Sequence, residues 1–259
     1  MSDLIQLEKR DHIAIITINN PPANTWTLDS LAALGEAVEA LNADDNIFAL
    51  VVTGQGEKFF SAGADLKSFA DGDAGKANVM AQAFGKGFDA LTRFRGVSIA
   101  AINGYAMGGG LECVLSCDLR IAEEHAEMAL PEASVGLLPC AGGTQNLPWL
   151  VGEGWAKRMI LCGERIKAER AQAIGLVEEV VPTGTALDKA LELAAMACKQ
   201  SPSSTARCKS LVMSARDGRS HADGWRKERE LFIELFSTED QREGVNAFLE
   251  KRAPQWKNR

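Results

Sequence analysis

The sequence predicts an α/β fold, and three observations point to it. Short β-branched or wholly apolar runs are each followed by a stretch of helical period, glycine-bearing turns join the two, and beyond Pro182 the pattern becomes helical throughout. Ile13 to Ile18 reads as a strand, after which Leu28, Leu31, Leu34, Val38 and Leu41 recur at helical spacing. Phe48 to Val52 is a fully apolar strand. Gly54-Gln55-Gly56 then turns the chain into Phe59 to Leu66, and the polar stretch from Lys67 to Lys76 reads as a mobile loop. A helix is expected from about Ala77 to Phe94 and a buried strand from Val97 to Ile102. Glycines at 108, 109 and 110 precede a helical run through Cys117, and Asp118 to Ala122 is a short strand. Strands repeatedly followed by helices imply right-handed crossovers and sheets covered by helices. Ala186 to Lys199, Ser203 to Ala215, Ala222 to Leu235 and Asp240 to Lys251 read as helices with no strand between them. The chain therefore divides into a core over residues 1–199 and a helical region over 200–259.

Composition narrows the function. At 259 residues and 46% hydrophobic, the chain is long enough to bury a substantial core. Its net charge of -7 argues against a nucleic-acid binder, because affinity for phosphate backbones comes from clustered Lys and Arg. The six cysteines lie mostly in apolar runs without CxxC spacing, which predicts thiols in a reducing cytoplasm. No basic start precedes an apolar segment, and no stretch approaches the ~18 apolar residues that span a bilayer. A soluble, cytoplasmic protein without membrane partners is the expectation. His12, His125 and His221 stand far apart with no HExxH pairing, so neither a His-based metal site nor a Ser-His-Asp triad has a foundation.

Chemistry concentrates at two glycine-bearing turns, Ala62-Gly63-Ala64-Asp65 and Gly108-Gly109-Gly110, each leaving a strand. Glycine permits close backbone approach, and the first N–H groups of a helix lack internal partners, so the two turns can aim donors at one spot as an oxyanion hole. Neither turn is a phosphate cradle, since GxxxxGK[ST] and GxGxxG are both absent. Glu112 follows the second turn directly, and Glu132 follows another apolar run. Taken singly, the first could only complement a helix dipole and the second only face solvent.

Together these residues resemble the crotonase (enoyl-CoA hydratase/isomerase) superfamily along nearly the whole chain. The matching segments are Phe60-Ser61-Ala62-Gly63-Ala64-Asp65-Leu66, Asn103 to Glu112, Pro131-Glu132 with Gly136-Leu137-Leu138-Pro139, and Ala141-Gly142-Gly143-Thr144-Gln145. Gly175-Leu176-Val177 and Asp240 to Gly244 continue the match in order. The resemblance implies a spiral of β-β-α units followed by C-terminal helices that support a homotrimer or a dimer of trimers. It implies an enoyl-CoA hydratase, a hydro-lyase that adds water across the 2,3 double bond of a trans-2-enoyl-CoA, with no cofactor beyond the coenzyme A of the substrate. Backbone N–H groups of Ala64 and Gly109 would hold the thioester oxygen. Glu112 would orient and deprotonate the water, and Glu132 would exchange the proton at C2. Contacts to the acyl-CoA would come from Lys58, Ala62, Asp65, Leu66, Lys67 and Lys251, and from Gly108, Pro131 and Leu137. The chain departs from the family pattern at Cys140, where many relatives have glycine, and at Asn146, where many have arginine. Pro21-Pro22-Ala23-Asn24 also resembles some isomerases, which leaves Δ3-to-Δ2 double-bond isomerisation open beside hydration, with a non-catalytic acyl-CoA-binding protein as a third reading.

Overall fold

The computed structural model describes residues 3–216, 218 and 220–259. Strands β1 (Ile5–Arg10) and β2 (Ile13–Ile18) form a hairpin followed by helix α1 (Leu28–Asn42). Three more units repeat the order strand, strand, helix. They are β3 (Ala49–Gly54), β4 (Phe59–Ser61) and α2 (Ala74–Thr92); β5 (Val97–Ile102), β6 (Tyr105–Met107) and α3 (Gly109–Leu115); and β7 (Leu119–Glu123), β8 (Glu127–Ala129) and α4 (Gly143–Leu161). In each of these units the first strand joins one sheet and the second joins another. A six-stranded sheet, ordered β1-β2-β3-β5-β7-β10, takes β10 (Glu179–Val181) at its edge and is parallel except for the hairpin. A smaller sheet, ordered β4-β6-β8-β9, ends with the antiparallel β9 (Ile166–Lys167), which leads into α5 (Ala168–Ala173).

Period-two alternation in the central strands serves two cores at once. Leu50, Val52, Ala100 and Ile102 face the main core, while Ala49, Val51, Ile99 and Ala101 face a second core on the other side of the sheet. The second core is closed by α6 (Ala186–Ala197), whose Ala186, Ala190 and Ala194 form a small-residue stripe at four-residue spacing. Three further helices complete the chain: α7 (Pro202–Ser214), α8 (His221–Leu235) and α9 (Glu239–Leu249). The tail beyond them folds back, and buried Asp240 accepts from the N–H groups of Lys257 and Asn258 at 2.8 and 3.1 Å. Among the described residues, no helix is long and apolar enough to cross a membrane.

The spiral of β-β-α units and the four C-terminal helices agree with the sequence reading. One segment differs. Lys67 to Lys76, expected as a loop, holds a 3-10 turn over Leu66–Phe69 and the start of α2, which begins three residues earlier than its apolar period suggests. The reason is capping: Asp65 accepts from Lys67 N–H at 3.1 Å, and Asp73 accepts from Gly75 and Lys76 N–H at 2.7 and 3.1 Å. Short aspartates followed by free amides start helices that hydrophobic spacing does not register.

Two buried asparagines fasten the turn between β3 and β4. Asn103 donates to the carbonyls of Gly54 and Gly56 at 2.9 and 2.6 Å and accepts from Gly54 N–H at 3.1 Å. Asn24, left-handed at φ 52, donates to the carbonyls of Gln55 and Phe59 at 3.0 and 2.9 Å. Replacing Asn103 by alanine leaves the buried carbonyl and N–H of Gly54 without their side-chain partner and returns the Gly56 carbonyl to solvent. A loss of about 2–3 kcal/mol is expected, to be read as a lower urea midpoint in equilibrium unfolding.

Candidate active site

The smaller sheet determines what meets at its edge. β4, β6 and β8 run parallel, so their C-terminal ends lie side by side, and antiparallel β9 begins where they finish. Past β4 come Ala62, Gly63 and Ala64; past β6 come Gly108 and Gly109; past β8 come Pro131 and Glu132; before β9 stands Arg165. Spatial order follows strand order: backbone amides, backbone amides, a carboxylate, a guanidinium.

The first two loops approach each other more closely than any side chain allows. Gly63 lies at φ +88, and a β-carbon built on it would fall 2.7 Å from the Met107 carbonyl oxygen and 3.1 Å from the Gly109 nitrogen. Only glycine fits such a place without strain. Trp26 supports the loop from behind: its backbone N–H donates to Gly63 O at 2.8 Å, and its backbone carbonyl accepts from Asp65 N–H at 3.2 Å. Between these bonds the Ala64 N–H faces away from Trp26, and the Gly109 N–H opens helix α3, where no carbonyl within the helix can reach it. Among the described residues neither amide has an acceptor. Gly108, at φ +53, joins strand to helix, and a β-carbon there would meet Glu132 Oε1 at 3.1 Å. The acid lies directly over the glycine turn.

The two glutamates differ in how they are held. Glu112 is 2% exposed, and its Oε1 accepts from the N–H groups of Ala141 and Gly143 at 2.8 and 2.9 Å. Burial raises its pKa above the usual carboxylate range against the pull of those amides and that of Cys140. No other loop anchors Glu132: its own backbone amide is the one that favours its carboxylate, and its Oε2 is buried without a partner. Burial pushes its carboxyl up to about 7, and the negative charge of Glu112 adds to the rise. Here two carboxylates share one cleft, one fixed by backbone donors and the other poised to hold or release a proton near neutrality.

That cleft has a volume of about 260 Å³ and contains both acids and both glycine turns. Leu66, Phe69, Phe84, Val135, Leu137 and Leu138 make its walls apolar. Cys140 also reaches it; burial, then the charges of Glu112 and Glu132, pushes its thiol up to about 11. Cys140 is exposed, and a thiol neutral at pH 7 is a weak nucleophile. Larger hollows of about 750 and 700 Å³ lie elsewhere, so size alone does not locate the chemistry.

Of the residues singled out in the sequence, Glu112, Glu132, Ala62, Ala64, Gly108, Gly109, Leu66, Pro131 and Leu137 line this one cleft. Asp65 stands just outside it as the cap of the 3-10 turn. Lys67 lines a neighbouring hollow with Asp71 and Lys76, Lys58 lies over the Phe59 ring at 5.4 Å from its centroid, and Lys251 follows α9 at φ 57. None of these three lysines lines the cleft. Phe84 and Arg165 do, and sequence reasoning passed over both. Phe84 was one apolar position among many on its helix, and Arg165 is brought in only by the β8–β9 pairing.

The fold agrees with comparisons to known proteins. The family model described as enoyl-CoA hydratase/isomerase matches residues 8–259. The chain is 39% identical to the 2,3-dehydroadipyl-CoA hydratase of Escherichia coli over 260 residues, covering all of both chains. It superposes on Pseudomonas aeruginosa DspI with a TM-score of 0.96 at 64% identity, over 98% of this chain and 97% of that one. On the enoyl-CoA hydratase of Bacillus anthracis the TM-score is 0.95 at 35% identity, over 99% and 100%. With its sequence matched nearly end to end, its two-sheet spiral superposed and both glutamates gathered at the glycine turns, the chain belongs to the enoyl-CoA hydratase/isomerase family of the crotonase superfamily.

Proposed function

We propose that the protein is an enoyl-CoA hydratase, converting a trans-2-enoyl-CoA to the 3-hydroxyacyl-CoA by syn addition of water. The observation that carries this reading is the convergence, in one cleft, of two unpaired backbone amides and two carboxylates, Glu112 buried and Glu132 half-buried. The thioester oxygen lies between the N–H groups of Ala64 and Gly109. As hydroxide adds to C3, the C2–C3 π electrons move toward that oxygen, and the amides stabilise the enolate charge as it develops. Ionised Glu112 takes the proton from water, and protonated Glu132 delivers a proton to C2 on the same face. The dyad ends as it began, with one proton, now on Glu112 instead of Glu132.

Coenzyme A is part of the substrate and no further cofactor takes part. Its phosphates reach solvent past Ala62 and Leu66, where Lys58, Lys67 and Lys251 are the cations offered for them. Residues 1–199 form the catalytic core. Beyond them the helical region carries self-association into a trimer or a dimer of trimers, a reading supported by exposed Trp225, Phe232, Phe236 and Phe248 on α8 and α9. A reducing cytoplasm suits six cysteines that all stand as free thiols.

Purified protein is expected to remove the absorbance of crotonyl-CoA, and Glu112→Gln and Glu132→Gln are each expected to lower kcat by ~10²–10⁴-fold. Full activity in either variant would end the two-carboxylate mechanism. Turnover of a 3-enoyl-CoA without hydration would assign the cleft to isomerisation, and tight acyl-CoA binding without turnover to a carrier. The competent dyad holds one proton, and its last proton leaves where the raised Glu132 pKa lies. The kcat/KM for hydration is therefore expected to fall as pH rises through about 7, with the same profile for dehydration. A flat profile from pH 6 to 9 would contradict it. Gly63→Ala forces the two donor loops apart, and a loss of ~10²–10³ in kcat is expected from steady-state rates.

A further inference from the structure

Arg165 is the one cation that lines the cleft among the described residues. Its place follows from strand register. Met128 pairs with Ile166 across β8 and β9, so Arg165 stands opposite Ala129, whose carbonyl accepts the Gly108 N–H at 2.9 Å. With strands about 4.8 Å apart, the Arg165 backbone lies one strand beyond the root of Glu132 and two beyond that of Gly109, on the order of 10 Å from the thioester cradle. The opposite end of the sheet is the β4 side, where Ala62 and Leu66 border the coenzyme. The β9 end is left for the acyl tail.

The guanidinium is uncommitted. Among the described residues it makes no hydrogen bond or ion pair, and the adjacent acid, Glu164, is engaged by Arg158 through bonds of 2.6 and 2.8 Å. Arg165 is exposed, so its charge stays hydrated while the cleft is empty and carries no burial penalty. Val135, Leu137 and Leu138 line the same cleft with apolar side chains, and the hydroxyl of Ser134 among them donates to the Pro131 carbonyl at 2.7 Å. Beside such a wall a charge pair is stronger than in open water, and the planar fork of arginine fits a carboxylate with two parallel hydrogen bonds.

We propose that Arg165 is a specificity residue that recognises a carboxylate at the far end of the acyl chain, making dicarboxylic acyl-CoA thioesters a preferred substrate class. The proposal rests on the hydration reading for the direction in which the substrate lies. The test uses two saturated six-carbon thioesters, adipoyl-CoA and hexanoyl-CoA, which differ only in the terminal carboxylate and cannot be hydrated. Their Kd values are measured by calorimetry with the wild-type protein and with Arg165→Gln, and coenzyme A alone serves as a third ligand. Wild type is expected to bind adipoyl-CoA about tenfold more tightly than hexanoyl-CoA, the scale of one hydrogen-bonded charge pair. In Arg165→Gln that preference should vanish, with hexanoyl-CoA and coenzyme A affinities unchanged. Equal affinity of wild type for the two thioesters would overturn the proposal. So would a variant that loses hexanoyl-CoA and coenzyme A equally, since Arg165 would then be holding coenzyme phosphates. Crotonyl-CoA hydration, assayed on the same two proteins, succeeds or fails independently of these affinities, so a fault in the hydratase reading is told apart from a fault in this one.

Discussion

The site depends on two stretches of main chain lying closer together than side chains permit. Gly63 and Gly109 come from different repeats of the spiral, and the gap between them has no room for a β-carbon. Everything else in the cleft is arranged around that contact. The bond from Trp26 to Gly63 sets one loop, and the bond from Gly108 to Ala129 sets the other. Asn24 and Asn103 fix the turn from which the first loop departs. The approach is thus secured by hydrogen bonds to backbone from several parts of the chain.

Electrostatic asymmetry between the glutamates is the second requirement. Glu112 is buried and Glu132 half-buried at the edge of the smaller sheet, and for both the loss of water disfavours ionisation. Amides of a neighbouring loop offset it for Glu112, whereas Glu132 has only its own backbone amide against burial and the charge of Glu112. Separating the proton affinities of two like groups by their surroundings is a general way to obtain an acid and a base from the same chemistry. In this chain the separation comes from the Ala141–Gly143 segment, which reaches Glu112 and not Glu132.

Much of this was legible beforehand, and the parts that were not share a cause. The central strands announced themselves as unbroken apolar runs because both faces are buried, and the helices by their period. The second sheet was nearly invisible: β4, β6 and β8 have three residues each and β9 has two, too few for any alternation to show. Yet this sheet assembles the site. Glu112, Glu132 and the glycine turns could be picked out because their residue types are unusual in their places and match a known family. Arg165 could not, since an arginine in a polar stretch has no local distinction, and only the pairing of Ile166 with Met128 brings it to the cleft. The caps at Asp65 and Asp73 were misread for a related reason, hydrophobic spacing being blind to helix starts made by short acidic side chains.

The donors at the heart of the cleft are main-chain groups, and this has a consequence for how such a protein can diverge. Substitution does not delete a peptide N–H unless it introduces proline, so the side chains of Ala62, Ala64, Leu66 and Leu137 are free to vary in bulk and polarity while the two free amides persist. New ligand preferences can then arise by single replacements around an unchanged pair of amides, with the glycines as the positions least able to follow.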